Sequence, residues 1–599
     1  MRNKILTLSL LVIFFFGCKK EEENIEPNIN ENNQTLINSI KDLNVNKDFD
    51  FNSTKTIKLN VKLPSSLNSN KTYVVNVYDN EDLNLLAKGS TNENGEYSTN
   101  IKLSTASNNI IIKTIAGTYE VEISNNIAEL DYNNIYSDDS TNTNLKNIYK
   151  SANNKFTKEK SINSNNLITN GDFSTNDFSV GNETNAKNNL NKWYIMNEND
   201  FTHYNNNSVR YYNNGYTVSA ELYQGFNVSA NSDLTVSVDI KTSGFNNWSA
   251  LRLAFYDDAG NSVGYQQVSV YPYSVWNTYT ISATVPSSAT KAVFYPIVIF
   301  SFPFAEVVID NVFASTLNET DTDGDGIIDK EDAFPDDNTK AFYVSFPSNS
   351  IGTYAFEDLW PYTGDYDFND LVLNYKYNYV TDARNLLVSL ECNYKIKAVG
   401  GSFKNGFGFS LNKPSSVISS ITGTYNTESY INYNSNGTEA GQTNAVIIVF
   451  DNVFDVIPHP GGIGINTTHE NTYVIPVDVN IKLNMTNPLD ISDFTINPFI
   501  IINGDRSYEV HLPNYLPTDL ANTNLFGQGQ DNSLYVGYYK SELNLPWALS
   551  VPVDFDYPIE KVDITQAHLK FANWVQSNGT QYTDWYEDKS GYRNSNNIY

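Results

Sequence analysis

The chain has 599 residues, with 68 acidic against 39 basic side chains and a formal net charge of −29. That balance excludes nucleic acid as a partner, because phosphate binding needs a cationic face. Two cysteines allow at most one disulfide, and five histidines beside them argue against a zinc-centred enzyme. Length alone predicts about three to five domains. Charged residues are only 18%, while aromatics reach 13% with 41 Tyr and 32 Phe. Disordered chains are poor in aromatics, so most of this one should fold. Tyr, Val, Thr and Phe together favour strands.

Arg2 and Lys4 precede a run from Ile5 to Phe16 that is almost wholly apolar, and Gly17 and Cys18 follow. A membrane span needs about 20 apolar residues, so this shorter run predicts a signal peptide over residues 1–17. Cys directly after Gly17 is similar to the lipobox of bacterial lipoproteins. That resemblance implies that Cys18 is acylated and takes outer-membrane lipid as its partner. An ordinary signal peptide with an incidental cysteine is the alternative. The run Cys18-Lys19-Lys20-Glu21-Glu22-Glu23 resembles the surface-export signal of Bacteroidota lipoproteins, which implies an exterior-facing anchor. A plain charged tether is the alternative there. With Cys18 lipidated, Cys392 has no partner and is expected as a buried thiol.

Residues 18–40 are Glu- and Asn-rich and aperiodic, the pattern of a flexible tether. From Ile57 to Leu63 every second residue is apolar, which predicts a half-buried strand. Tyr73 to Tyr78 and Ile110 to Thr114 read as further strands, and Asn92-Glu93-Asn94-Gly95-Glu96 as a turn. Residues 41–134 are thus expected to form a small β-sandwich, followed by a polar linker over 135–165. Residues 166–316 carry strands such as Leu234 to Ile240 and Thr278 to Val285, a jelly-roll pattern. The opening Asn166 to Phe173 and the closing Ile309-Asp310-Asn311-Val312 resemble jelly-roll carbohydrate-binding modules. In those, an acid near each end often shares a structural calcium, which points to Asp172 and Asp310.

Residues 317–340 hold the strongest chemical signal, Asp321-Thr322-Asp323-Gly324-Asp325-Gly326-Ile327-Ile328-Asp329-Lys330-Glu331-Asp332. Calcium takes six to eight hard oxygens. Asp321, Asp323 and Asp325 converge if the chain wraps once around the ion. Gly326 allows the sharp turn, Ile327 would offer its carbonyl, and Asp329 and Asp332 complete the set. Ile328 is expected to point into a core. An acidic solvated linker is the alternative, but five aspartates so close repel one another without a cation. Flanking helices are not expected, so this is not an EF-hand. Asp332-Ala333-Phe334-Pro335-Asp336-Asp337-Asn338 looks like the tail of a type-3 thrombospondin repeat, with Phe334 where Cys would stand. The loop is expected to form the joint between the jelly roll and the C-terminal unit.

Residues 341–599 again read as strands, among them Asn385 to Leu390, Ala445 to Phe450 and Tyr473 to Ile481, with one helical stretch over Ile564 to Ser577. Asp365, Asp367 and Asn369 recur at spacing two, with Asp370 adjacent. Two readings stand: a second calcium site, or a turn whose side chains bond their own backbone. Tyr366 and Phe368 would face a core in either case. The calcium loop, Glu357-Asp358-Leu359-Trp360-Pro361 and Gly364-Asp365-Tyr366-Asp367-Phe368-Asn369-Asp370-Leu371-Val372 resemble the LruC-domain family of bacterial lipoproteins. Gly406 to Phe409, Glu509 to Pro513, Leu545 to Leu549, Trp574 and Asp584-Trp585-Tyr586 agree with it, over roughly residues 321–590. The resemblance implies an outer-membrane or surface lipoprotein with no established catalytic activity.

The fold expected is all-β: sandwiches and jelly rolls joined by linkers and a calcium-binding loop. No enzyme is expected. Acid pairs such as Glu357 with Asp358 or Asp365 could suit glycosidase work, but sequence fixes no separation between them. His511 lies two residues from Glu509 and four from Ser507, and is expected to be structural. Trp193, Trp248, Tyr271, Tyr273 and Trp276 are the candidate glycan platform, with core packing as the alternative for each Trp. The function expected is binding or adhesion at the cell surface, with polysaccharide or surface and matrix proteins as partners. A structural envelope protein without a ligand is second, and a glycan-active enzyme third.

Overall fold

Alternation decides the first sheet. In the strand Thr54–Lys62, Ile57, Leu59 and Val61 are buried while Lys58 and Lys62 stay exposed. The computed structural model describes residues 37, 39–63, 72–80, 83–114, 117–131, 149–151, 167–171, 173, 178–195, 201–204, 208–212, 219–243, 249–270, 277–299, 306–316, 320–348, 350–491 and 494–599. Cys18, the signal peptide, most of the tether and linker, Asp172, Trp248, Tyr271, Tyr273 and Trp276 lie outside them. The described chain is all-β, in six sheets with a few short helices.

Thr54–Lys62 lies between Glu96–Ser104 and Ile127–Asp131. This sheet packs on a second one ordered Leu85–Ser90, Val74–Asp79, Asn109–Thr114, Gly117–Glu122, Tyr149–Ser151. At the turn between two of these strands, Gly95 adopts φ 72°, a region open to glycine at little cost.

The next two sheets face each other across one apolar core. One is ordered Ser262–Val270, Ser249–Tyr256, Lys291–Ile299, Ser219–Asn227, Trp193–Ile195, Phe178–Val180. The other runs Phe201–Tyr204, Ser208–Tyr212, Glu306–Thr316, Asp233–Ser243, Asn277–Thr284. The two ends of this module meet: Leu167 N–H donates to the Ala314 carbonyl (2.9 Å) and Val312 N–H to that of Gly171 (2.8 Å). Gly171 has no side chain because a Cβ would lie 1.9 Å from the Val312 carbonyl oxygen.

In the C-terminal unit the large sheet follows the path Ile418–Thr422, Val477–Asp490, Leu386–Ala398, Leu371–Thr381, Gly352–Phe356, Ala548–Val551, with Phe342–Phe346 on the side. A four-stranded sheet, Val446–Phe450, Gly406–Leu411, Ile496–Ile501, Glu509–His511, closes the core on one face. The other face is also covered. Ala355, Val372, Ala398, Leu549 and Val551 pack under Phe571, Trp574 and Trp585 from the C-terminal helical segment (Ile564–Ala567 and Phe571–Gln576). That double burial explains why Leu371–Thr381 is almost wholly buried and does not alternate. Cys392 is buried and unpaired, and burial pushes its thiol up.

Residues 40–51 differ from the sequence expectation. They do not join the N-terminal sandwich. Ile40, Leu43, Phe49 and Phe51 are buried in the C-terminal cluster, and Ile40 N–H donates to both Asp563 carboxylate oxygens (3.1 and 2.8 Å).

Candidate metal centres and a candidate sugar face

The segment from Asp321 to Asp332 wraps into one tight loop. Gly324 and Gly326 take φ of 78° and 95°. Asp321, Asp323 and Asp325 each bring one oxygen within 4.8 Å of the others. Asp321 accepts from Gly324 N–H (2.7 Å) and Gly326 N–H (3.0 Å). Asp325 Oδ1 accepts from Ile327 N–H (2.8 Å) and Asp332 Oδ1 from Phe334 N–H (2.6 Å). The second oxygens of Asp323, Asp325 and Asp332 are buried and meet no donor. Buried acceptors normally find one, and here the surroundings are further carboxylates. Burial, with Asp323, Asp332 and Asp321 adding, pushes the Asp325 carboxyl up to about 6, and Asp332 is raised in the same way.

Asp329 has further partners in the loop, and one placement departs from expectation. Asp329 accepts from Thr322 N–H and Oγ1, both at 2.8 Å, so it ties the loop's start to its end. Ile327, not Ile328, takes the apolar anchor position. Ile327 is buried against Ala341 and Phe342, with Val74 and Ala383 partly buried beside it, whereas Ile328 is half-exposed. Val74 belongs to the N-terminal sandwich, and Lys88 of that sandwich pairs with Glu331 (2.7 Å). The loop therefore also joins the sandwich to the C-terminal unit.

The 365–370 segment is a turn, not a strand. Tyr366 and Phe368 adopt φ of 61° and 53°, and both rings are buried as expected. Their left-handed backbone turns the alternate residues the other way. Glu357, Asp365 and Asp367 bring oxygens within 4.8 Å of one another. Glu357 Oε1 accepts from Phe368 N–H (2.7 Å); Asp367 accepts from Asn369 N–H (3.1 Å) and Lys561 N–H (2.7 Å). Asn369 Nδ2 donates to the Pro558 carbonyl (3.1 Å). Glu357 Oε2 and Asn369 Oδ1 are buried and meet no donor. Asp370 borders the group and is turned towards Asp358, whose N–H it accepts (2.8 Å), so it is not one of the three acids whose oxygens converge. Burial, then Asp367 and Asp365, holds Glu357 well above the carboxylate range. Burial, then Asp365, pushes Asp367 up to about 8.

On the jelly roll, Trp193 is 1% exposed. It packs on Phe173 and donates through Nε1 to the Asn170 carbonyl (3.1 Å), so it is core and not a sugar platform. Its strand turns it inward between the sheets. Asp310 lies opposite Asp239, and Asn311 bridges the two by donating to both. The outer face of the six-stranded sheet carries residues that the sequence reading missed. Arg252 lies 5.1 Å from the Tyr265 ring and 5.4 Å from the Tyr295 ring. It donates to Gln267 (2.6 Å) and the Tyr295 hydroxyl (3.0 Å). Tyr265 is 67% exposed. Glu221 is half-buried on the same face, hydrogen-bonded to Tyr223. The period-two pattern of Ser249–Tyr256, with Ala250, Arg252, Ala254 and Tyr256 on one face, was the available signal.

A domain of unknown function, DUF4842, matches residues 385–586. No curated protein matches the chain. Among solved structures, a Bacteroides ovatus protein described as a "Putative lipoprotein" is similar, with a TM-score of 0.34 and 14% identity over 64% of this chain and 93% of that one. A CBM4 structure has a TM-score of 0.20 and 16% identity over 25% of this chain and 99% of its own. TmCBM61 in complex with beta-1,4-galactotriose has a TM-score of 0.19 and 18% identity over 26% and 99%.

His511 is fully buried between Phe499 and Tyr539. Its ring nitrogens meet Asn497 (2.7 Å) and Glu509 (2.9 Å), while Ser507 bonds Asp505 instead. Among the described residues no serine is hydrogen-bonded to the histidine. Glu560 also had no sequence signal, and its proximity to Asp365 and Asp358 arises only from the fold.

Proposed function

We propose that this chain is a calcium-binding lipoprotein of the bacterial cell surface that binds polysaccharide through its jelly-roll module and performs no catalysis. The layout of residues 1–17 before Cys18 supports the outer-membrane anchor. The resemblance of residues 321–590 to the LruC-domain family supports the same location, and the thrombospondin-like spacing supports calcium in the 321–332 loop. The single observation that carries sugar binding is the exposed Tyr265 ring, with the Arg252 guanidinium 5.1 Å from its centroid, on the outer sheet face. A pyranose presents an apolar face and a rim of hydroxyls. A flat aromatic surface beside Arg252, Gln267 and Glu221 offers stacking and both donors and acceptors.

Affinity electrophoresis of the chain in gels containing soluble β-1,4-galactan, xylan or other plant and host polysaccharides tests this. Retardation is expected with at least one of them. Y265A and R252A should weaken it about tenfold, equivalent to about 1.4 kcal/mol of stacking and hydrogen bonding. Unretarded migration in every gel would favour the second reading, an envelope protein with a structural role.

A further inference from the structure

We infer that the buried acidic knot of the C-terminal unit is a second calcium site, built by Glu357, Asp365, Asp367 and Asn369, that clasps the C-terminal segment onto the large sheet. The inference does not depend on the sugar reading. Six carboxylates gather here: Glu357, Asp358, Asp365, Asp367, Asp370 and Glu560, each acting electrostatically on others of the group. Among the described residues none has a lysine or arginine ion pair. Two lysines stand close: Lys561 acts on Glu560 without pairing with it, and Lys41 donates to the Gly364 carbonyl (3.1 Å) and lies over the Tyr366 ring.

Acidity alone would not make a site. The independent observation is the pair of donorless oxygens, Glu357 Oε2 and Asn369 Oδ1, on residues with 0% exposure. A glycine stands against each, where a side chain would not fit. A Cβ on Gly364 would lie 2.1 Å from Glu357 Oε2, and one on Gly400 would lie 2.2 Å from Asn369 Oδ1. An unpaired buried carboxylate costs several kcal/mol, on the order of what a paired ion recovers. The donors are all oxygen, with no sulfur or imidazole among them, which selects a hard cation. An irregular turn with carboxylates and an amide oxygen suits calcium's flexible coordination better than magnesium's strict octahedron. The same residues hold the C-terminal segment: Asp367 takes Lys561 N–H, Asn369 gives to the Pro558 carbonyl, and Ile564 N–H donates to the Tyr366 carbonyl (2.9 Å). An ion here would lock residues 558–564 to the turn.

The purified chain, stripped with EDTA and dialysed against calcium, is expected to carry two calcium ions by atomic emission, one in the 321–332 loop and one here. Asp365 is exposed, so D365N should keep the fold while weakening this site about tenfold or more. E357Q keeps the buried shape and should do the same. D323N should affect only the other site, which separates the two counts. Unchanged calcium stoichiometry and affinity in both D365N and E357Q would overturn the inference. So would a site in the D323N chain that takes magnesium in preference to calcium.

Discussion

Arg506 is the cation between two buried glutamates, Glu439 and Glu509, and bonds both. Burial alone would raise the Glu509 carboxyl, but hydrogen bonds and charge from His511 and Arg506 outweigh it and hold it at about 2. The folded carboxyl is depressed, so its contribution is present above the ordinary value near 4.5 and fades as pH falls towards 2. R506L should therefore cost about 3–5 kcal/mol at pH 7, because it strands two buried charges. Urea unfolding checks this, and a loss under 1 kcal/mol would refute the account. His568 has the opposite character. Its Nε2 donates to the Asp556 carbonyl (2.8 Å), its Nδ1 has no partner, and it stacks on Phe555 and meets Trp585 edge-on. Burial, with nearby Arg593 adding, lowers it to about 3. Between pH 6.5 and 3 the unfolded chain binds a proton that the folded chain refuses, so stability rises with pH across that window. At most about 1.4 kcal/mol per pH unit comes from this one group. H568F should remove that part of the slope in urea midpoints taken from pH 4.5 to 6.5.

At the scale of elements, the tight wrap of the 321–332 loop was legible because its parts are local: the acids, the glycines and the apolar anchor all lie within one short stretch of chain. The anchor was misplaced by one residue, since nothing local says that Phe342 and Val74 lie on the Ile327 side. The strand periods were equally local, and Thr54–Lys62 alternates as its sequence does. The acidic knot was only half legible. Asp365, Asp367 and Asn369 stand out by spacing, but Glu357 reads only as part of an acid pair with Asp358 or Asp365, and Glu560 comes from about two hundred residues away. The face proposed for sugar was missed for a related reason. Trp is the strongest aromatic signal in sequence, but Trp193 is drawn into the core while Tyr265 stays outside. Calcium bound in the loop should order it. Trypsin cleavage after Lys330 and Lys340 is expected to be slow in calcium and several times faster in EDTA. Equal rates in the two buffers would remove the metal from this account.

Chain order and spatial order differ across the whole molecule. Residues 40–51 belong to the C-terminal core, which the chain then leaves to build the sandwich and the jelly roll before returning at the 320–340 loop. The sandwich is held at its start by this lead-in. It is held again through Lys88 to Glu331 and through Ser90, which exchanges backbone bonds with the Asn385 amide (2.7 and 2.8 Å). The net charge fits this plan, because its densest acids lie at the two places where distant segments must be joined, the loop and the 357–370 turn. The lead-in should therefore act as part of a unit from which it is separated by some three hundred residues of sequence. Phe51 packs on Phe49, Phe571 and Trp574. F51A leaves a cavity among these rings and should cost the C-terminal unit about 3–5 kcal/mol. L234A, in the jelly-roll core, should cost the jelly roll a similar amount and leave the C-terminal unit untouched. Differential scanning calorimetry resolves the two cases if each variant lowers a different transition. A shared shift in both variants would mean that the units unfold as one, and that the lead-in has no special allegiance to the C-terminal core.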